Sequence, residues 1–256
     1  MENPVLNKLL SVFSREEAAP VQPGFRHEDS FLTLEDTAVD RRFDMPYRKT
    51  YAFEGDYIDA DHRRYAECAT QHGMIDIGIE GWLLPADALK LYELSRFCGG
   101  DILELGTYRG LSTSILAQGS TNSKRRDAII SVDLDPAAMV GGKANLKGKP
   151  GSERVAFIEA DGDSALNRFI KARRKFRFAF VDHSHRQEHV QSACALLPEV
   201  LVPGAFVLFH DYNDYRNAIA DVDDYGVYQG VRDGLDMSRF EFWGVYGCTG
   251  LFRFKG

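Results

Sequence analysis

Asp101–Thr113 reads DILELGTYRGLST: a short apolar run interrupted by one acid, a turn marked by Gly106 and Gly110, then Ser112 and Thr113. A continuous apolar run of this length predicts a strand buried on both faces. The two glycines let the backbone turn and approach a bound molecule closely. Ser112 and Thr113 suit the opening of the helix that follows, whose free N–H groups can receive a carboxylate. Alone, the turn supports only a nucleotide-like ligand, because GxxxG spacing is common and the dinucleotide fingerprint GxGxxG is absent.

Downstream of this segment, similar runs recur as AIISVDLD (128–135), VAFIEAD (155–161), FRFAFVD (176–182) and AFVLFHD (205–211). They alternate with helix-length segments, which predicts an α/β fold with a doubly wound, mostly parallel sheet. Ligands of such sheets lie beyond the carboxyl ends of the strands, where Glu104, Asp133, Asp161, Asp182 and Asp211 all fall. The tail, FEFWGVYG and GLFRFK, adds two strands, read as an antiparallel pair at the sheet edge. Upstream, apolar residues from Asp59 to Phe97 recur at helical spacing, most clearly in LLPADALKLYELSRF (83–97), with Pro85 as a start and Gly99-Gly100 as a stop. Residues 1–57 hold one amphipathic stretch, NPVLNKLLSVF, and then an irregular arm. The chain therefore divides into an N-terminal helical and irregular extension, 1–80, and a ligand-binding domain, 81–256.

A formal charge of -7 over 256 residues argues against a nucleic-acid partner held through phosphate neutralisation, which needs a positive face. The basic runs SKRR (123–126) and KARRKFR (171–177) read as solvated faces. Cys68, Cys98, Cys194 and Cys248 form no CxxC pair, and no signal sequence precedes them, so a reducing, cytoplasmic setting is expected. No apolar run approaches the roughly 20 residues of a membrane span, so no membrane partner is expected.

Asp133 extends the motif. It closes the next strand 29 residues after Glu104, where an acid can accept both hydroxyls of a ribose. With ELGTYRGLS, VDLDP, EADGDS, VDHSH and PGAFVLFHDY in this order, the chain resembles the class I S-adenosylmethionine-dependent methyltransferases. The likeness is to their catechol O-methyltransferase-like, methyltransferase-24-type branch, over Gly81–Phe254. The resemblance implies a Rossmann-like domain using S-adenosylmethionine. It puts Glu104, Gly106, Tyr108 and Ser112, on the turn closed by Gly110, around the methionine part of that cofactor, and Asp133 on its ribose. Gly162, Asp163 and Ser164 would lie at the adenine edge, with His183 against the adenine face.

Methyl transfer is an in-line displacement at an already activated carbon, so the protein must mainly position and deprotonate the acceptor. An acceptor hydroxyl needs a base or a divalent cation. Asp182 and Asp211, at the ends of two strands, could hold a cation. The resembling metal-dependent enzymes carry an Asp-Asn or Asp-Asp pair where this chain has His210-Asp211, so Asp182, His210 and Asp211 are the metal candidates. Magnesium prefers oxygen donors, whereas a His ligand admits manganese, zinc or iron. Alternatively the two carboxylates stay metal-free and bind cofactor or acceptor. His185, where catechol O-methyltransferases carry a catalytic lysine, is the expected base, working with Asp182. A histidine metal tract of His183, His185 and His189 is the competing reading, although HSHRQEH lacks an HxHxDH order.

Tyr212, Asn213, Asp214 and Tyr215 could line the acceptor pocket, and Trp82 and Trp243 are expected in the core or an interface. Phe43, Tyr47, Tyr51 and Phe53 of the arm would close over the site or form dimer contacts. The expected function is O-methylation of a small-molecule hydroxyl by a homodimer, assisted by a divalent cation (Mg or Mn). Metal-independent N-methylation and a non-catalytic, cofactor-binding role are the alternatives. No NPPY-type tetrapeptide, the usual sign of amino-group methylation, follows the fourth strand.

Overall fold

A computed structural model describes residues 49–123, 125, 127–218 and 225–256. The amphipathic stretch 3–13, Phe43 and Tyr47 lie outside the described residues, as do Lys124 and Arg126 of the first basic run. The described chain begins with α1 (Ala60–Glu67), a small hairpin of β1 (Thr70–Gln71) and β2 (Met74–Ile75), and α2 (Pro85–Phe97). Helical spacing between Asp59 and Leu84 thus yields only α1. His72 and Gly73 both take positive φ (52° and 81°), the conformation of a tight two-residue hairpin turn, and this breaks the helical pattern.

Seven strands form the main sheet: β3 (Ile102–Leu105), β4 (Ile129–Asp133), β5 (Val155–Glu159), β6 (Phe176–Val181), β7 (Leu201–Phe209), β8 (Phe240–Tyr246) and β9 (Thr249–Phe254). Their order is β5-β4-β3-β6-β7-β9-β8. β3 to β7 run parallel, and β9 pairs antiparallel with both β7 and β8. The tail is therefore an antiparallel pair, with β8 rather than β9 at the edge. The helices α3 (Leu111–Asn122), α4 (Pro136–Leu146), α5 (Gly162–Lys171), α6 (Gln187–Leu196) and α7 (Val227–Gly234) provide the crossovers and the cover.

Both faces of the central strands are buried, which is why their sequences read as unbroken apolar runs. Leu103, Leu105, Ala179 and Val181 pack with α5, α6 and α7. Ile102, Phe178, Phe180, Phe206 and Leu208 pack on the other face with α2, α3 and Tyr65 of α1. The strand order reverses between β3 and β6, leaving a crevice beyond their carboxyl ends at the point where such folds bind ligands. All four cysteines are free, and no helix among the described residues is long and apolar enough to cross a membrane.

Candidate functional site

A cleft of about 1160 Å³ opens at this reversal. Gly106, with φ +100°, leaves β3 directly against β6, and a Cβ there would collide with the backbone carbonyl of Asp182. Glycine is the residue that permits so close an approach. Tyr108 follows in the left-handed region at φ +44°, unfavourable for an aromatic residue. Asp133 holds that turn from below: its Oδ2 accepts the N–H groups of Thr107 (2.8 Å) and Tyr108 (2.9 Å), and its Oδ1 accepts that of Asp135 (2.9 Å). Three bonds leave the carboxylate room for about one further donor.

Glu104 lies beneath the cleft rather than in it. It is fully buried and accepts the hydroxyls of Ser112 (2.7 Å), Thr113 (2.6 Å) and Ser131 (2.5 Å). Burial pushes its carboxyl up to about 7, against the opposing pull of those donors. Ser112 and Thr113, read from sequence as helix openers, thus turn their hydroxyls to Glu104, and Gly110 at φ +83° occupies the cap position of α3. Of the residues expected around a cofactor, Gly106, Tyr108, Ser112, Asp133, Gly162, Asp163 and His183 line the cleft, whereas Glu104, Gly110 and Ser164 do not. Ser164 donates its N–H to Asp161, which caps α5, and Asp163 accepts the hydroxyl of Ser192 (2.6 Å). His183 lies over Gly162, where a Cβ would meet the imidazole at 2.8 Å. Its buried Nδ1 has no hydrogen-bond partner among the described residues, and burial depresses its pKa.

Beyond Gly106 the strand ends gather Asp182, His185, His210 and Asp211. His210 Nδ1 lies 3.3 Å from Asp182 Oδ1 and 3.2 Å from Asp211 Oδ2. Asp211 Oδ2 also lies 3.0 Å from His185 Nε2. Asp211 takes φ +58°, a strained position for a non-glycine residue and one typical of functional sites. Burial alone would depress His210, but the carboxylates of Asp211 and Asp182 hold its pKa well above the ordinary value. Burial would likewise raise Asp211, and the neighbouring imidazoles instead hold it well below its usual range. The hydrogen bond to Asp211 raises His185. His185 is half-exposed, its ring stacked on Tyr225 at 4.6 Å. Asp182, His185 and Asp211 offer ligand atoms within 4.8 Å of one another. That group holds His185 in place of the expected His210, whose Nδ1 lies between the two carboxylates. His189 reaches Ser184 instead (2.9 Å).

Several cleft residues were not singled out by sequence. Asp87, fully buried on α2, accepts the N–H groups of Leu84 (2.8 Å) and Cys248 (2.9 Å), faces His210 Nε2 at 4.0 Å, and is pushed by burial to about 6. It ties α2 to the β8–β9 turn, a contact spanning 161 residues that no local pattern announces. Arg216 grips Asp214 through two bonds (2.8 and 2.7 Å). Asn213, Asp214 and Tyr215 line the cleft, whereas Tyr212 packs in the core on Phe242 and Phe252. Trp243 is core, 3% exposed, but Trp82 is 62% exposed at the cleft.

Residues 103–212 match the model of a family described as a methyltransferase domain. Among solved structures, the chain is similar to an O-methyltransferase from Bacillus cereus in complex with SAH, at 18% identity and a TM-score of 0.57, covering 68% of this chain and 82% of that one. It is also similar to TomG, an O-methyltransferase from Streptomyces achromogenes involved in tomaymycin synthesis, in complex with SAM. There the identity is 17% and the TM-score 0.54, covering 77% of this chain and 91% of the other. No curated protein matches.

Proposed function

We propose that the protein transfers a methyl group from S-adenosylmethionine to the hydroxyl of a small molecule, a reading supported by the match of residues 103–212 to the model of a methyltransferase domain and by a fold similar to that of solved O-methyltransferases. The observation that carries this reading is the convergence of Asp182, His185, His210 and Asp211 beside the Gly106 turn. The residues present fit the cofactor. Gly106 lets the turn at the floor of the cleft pass close against the backbone of Asp182, Asp133 retains a free acceptor site for a ribose hydroxyl, and the buried Nδ1 of His183, a cleft-lining residue, has no partner among the described residues. When bound, the sulfonium supplies a methyl carbon already activated for displacement.

What remains for the protein is to orient and deprotonate the acceptor. His185 takes the hydroxyl proton at Nδ1, the nitrogen that Asp211 does not engage. Asp211 fixes the ring and stabilises the imidazolium that forms, as a carboxylate does behind any catalytic histidine. Asp182 and Asp211, with His185 or His210 as nitrogen donor, would also hold a divalent cation, whose chemistry would be stabilisation of the acceptor oxyanion. A donor set of carboxylates and imidazole suits manganese, iron or zinc better than magnesium. One observation favours a metal-free variant: His210 already lies between the two carboxylates, which hold its pKa well above the ordinary value and so favour the charged imidazolium there.

Calorimetry with S-adenosylhomocysteine, followed by turnover of labelled S-adenosylmethionine against hydroxylated and aminated panels, tests the reading. Assays run after exhaustive chelation and after adding manganese or magnesium. Failure to bind S-adenosylhomocysteine overturns it, and turnover of amines alone replaces it with N-methylation. Full activity after chelation keeps O-methylation by His185 and removes the cation.

A further inference from the structure

Cys248, in the β8–β9 turn, brings a thiol into the cleft beside two carboxylates. Its Sγ lies 3.6 Å from Asp211 Oδ1 and 3.9 Å from Asp214 Oδ2. Neither the cofactor contacts nor the deprotonation of an acceptor uses it. Its position is built by the backbone: the Cys248 N–H donates to Asp87 (2.9 Å), and its carbonyl accepts the N–H of Asn213 (3.2 Å). A Cβ on Gly247 would collide with the Asp87 carboxylate, so the turn is pressed against α2. Ligand atoms of Asp211, Asp214 and Cys248 all lie within 4.8 Å of one another, close enough for one ion to draw them together. Asp211 divides its carboxylate between two groups. Its Oδ2 faces the imidazoles of His185 (3.0 Å) and His210 (3.2 Å), whereas its Oδ1 faces Cys248.

A thiol among acids is not by itself a site, and Tyr225 supplies the second observation. Tyr225 is 8% exposed, and its buried hydroxyl has no hydrogen-bond partner among the described residues. Burial first, then the carboxylates of Asp211 and Asp214, raise the pKa of that phenol, so the hydroxyl stands beside the same two acids. A buried hydroxyl left without a partner is costly and points to a group that would engage it. Arg216 is the competing cation. It stacks over the Tyr225 ring at 4.1 Å, holds Asp214 by two bonds, and brings Nη2 to 3.8 Å from Asp211 Oδ1. Its side chain is 43% exposed, so it can swing into solvent when an ion takes its place.

We infer that Cys248, Asp211 and Asp214, with the Tyr225 hydroxyl as a fourth donor, form a thiophilic cation site back to back with the Asp182–His185 group, taking zinc or a similar ion in preference to magnesium. The sulfur donor sets that preference, since thiolate selects zinc and its like while magnesium keeps to oxygen. On binding, the thiol proton leaves to solvent and the thiolate joins two carboxylates around the ion. The inference does not rest on the methyl-transfer reading, and its test involves no turnover.

The full chain, reduced and stripped by chelation, is titrated with cobalt(II), zinc and magnesium by absorbance and calorimetry. Cobalt on thiolate gives an intense sulfur-to-metal charge-transfer band, which cobalt on oxygen and nitrogen alone does not. The wild type should show that band, and zinc should bind at least about a hundredfold more tightly than magnesium. Cys248→Ser should lose the band and at least about tenfold in zinc affinity. Asp182→Asn should keep the band, and Arg216→Gln should bind zinc about threefold or more tightly than wild type, because the competing guanidinium is gone. No band in the wild type, or magnesium bound as tightly as zinc, overturns the inference. A band that survives Cys248→Ser comes from another thiol and overturns it as well. Loss of the band in Asp182→Asn would mean that the thiolate completes the other group, and unimproved binding in Arg216→Gln would mean that Asp214 is no ligand; either result overturns the site.

Discussion

Asp211 has one carboxylate oxygen within reach of two imidazoles, His185 at 3.0 Å and His210 at 3.2 Å, and this sets how the site responds to pH. The hydrogen bond to Asp211 raises His185 above its ordinary 6.5. A base works in its neutral form, so turnover should climb as pH rises through that raised value. The stabilisation from the protonated pair runs oppositely: it is complete below 6.5 and lost as pH rises through the raised value. Asp211→Asn, measured after chelation, should move the acidic limb of the kcat profile downward, and an unmoved limb would remove His185 as the base. His185→Ala should lower kcat by roughly 10²–10⁴-fold while leaving S-adenosylhomocysteine affinity intact. Glu104 offers a second test at this scale. Its folded pKa of about 7 lies above its ordinary 4.5, so its contribution to stability is complete below 4.5 and falls away as pH rises through about 7. Glu104→Gln stays neutral throughout, so the Tm difference between wild type and variant should change across that window; a constant difference would refute the buried-acid account.

Among the elements, the junction of β3 with β6 is the least tolerant of change. Gly106 combines φ +100° with a backbone carbonyl in the space a Cβ would take, and Asp182 N–H donates to Leu105 O at 2.7 Å immediately beside it. Gly106→Ala must either strain the turn or part the two strand ends, at a cost on the order of 1–3 kcal/mol from the backbone alone. Thermal unfolding should show that loss, and calorimetry should show weakened S-adenosylhomocysteine binding, because the same displacement disturbs Tyr108 and Asp182. A variant with wild-type Tm and cofactor affinity would mean that the close approach is not required. The sequence made the turn at Gly106 legible because its signal is local, a strand, a glycine and a helix within thirteen residues, but it read the close approach as one to a bound molecule, whereas the structure sets Gly106 against the backbone of Asp182, which no local pattern announces. The parallel strands were legible for a similar reason, each reading as an apolar run closed by an acid. The hairpin at Thr70–Ile75 was not, because its turn depends on His72 adopting positive φ, which residue type hardly signals.

At the scale of the molecule, the cleft depends on contacts between distant segments, and here the sequence was least informative. Most of the residues expected around a cofactor from motif order line the cleft, but Glu104 braces the turn from beneath, and Asp87 emerged only once the fold brought α2 against the β8–β9 turn. The same helix carries a second long-range tie. Lys90 and Glu93, both fully buried, pair at 2.5 Å, with Lys90 4.0 Å from the Tyr246 ring centroid and donating to Thr50 Oγ1 at 2.8 Å. Glu93 in turn accepts the backbone N–H groups of Thr50 (2.5 Å) and Tyr51 (2.8 Å), so one carboxylate fastens the beginning of the described chain to the helix that bears Asp87. Glu93→Ala strands a buried ammonium together with two backbone donors and should cost about 3–5 kcal/mol. Lys90→Met leaves Glu93 charged but still bonded to those donors. Lys90→Met combined with Glu93→Gln removes both charges, keeps an acceptor for Thr50 and Tyr51, and should restore much of the stability lost in Glu93→Ala, since replacing a buried ion pair is often neutral. Denaturant unfolding of the three variants separates the causes: if the double variant is as unstable as Glu93→Ala, the charge pair itself holds the segment, and if it recovers, the backbone acceptor does.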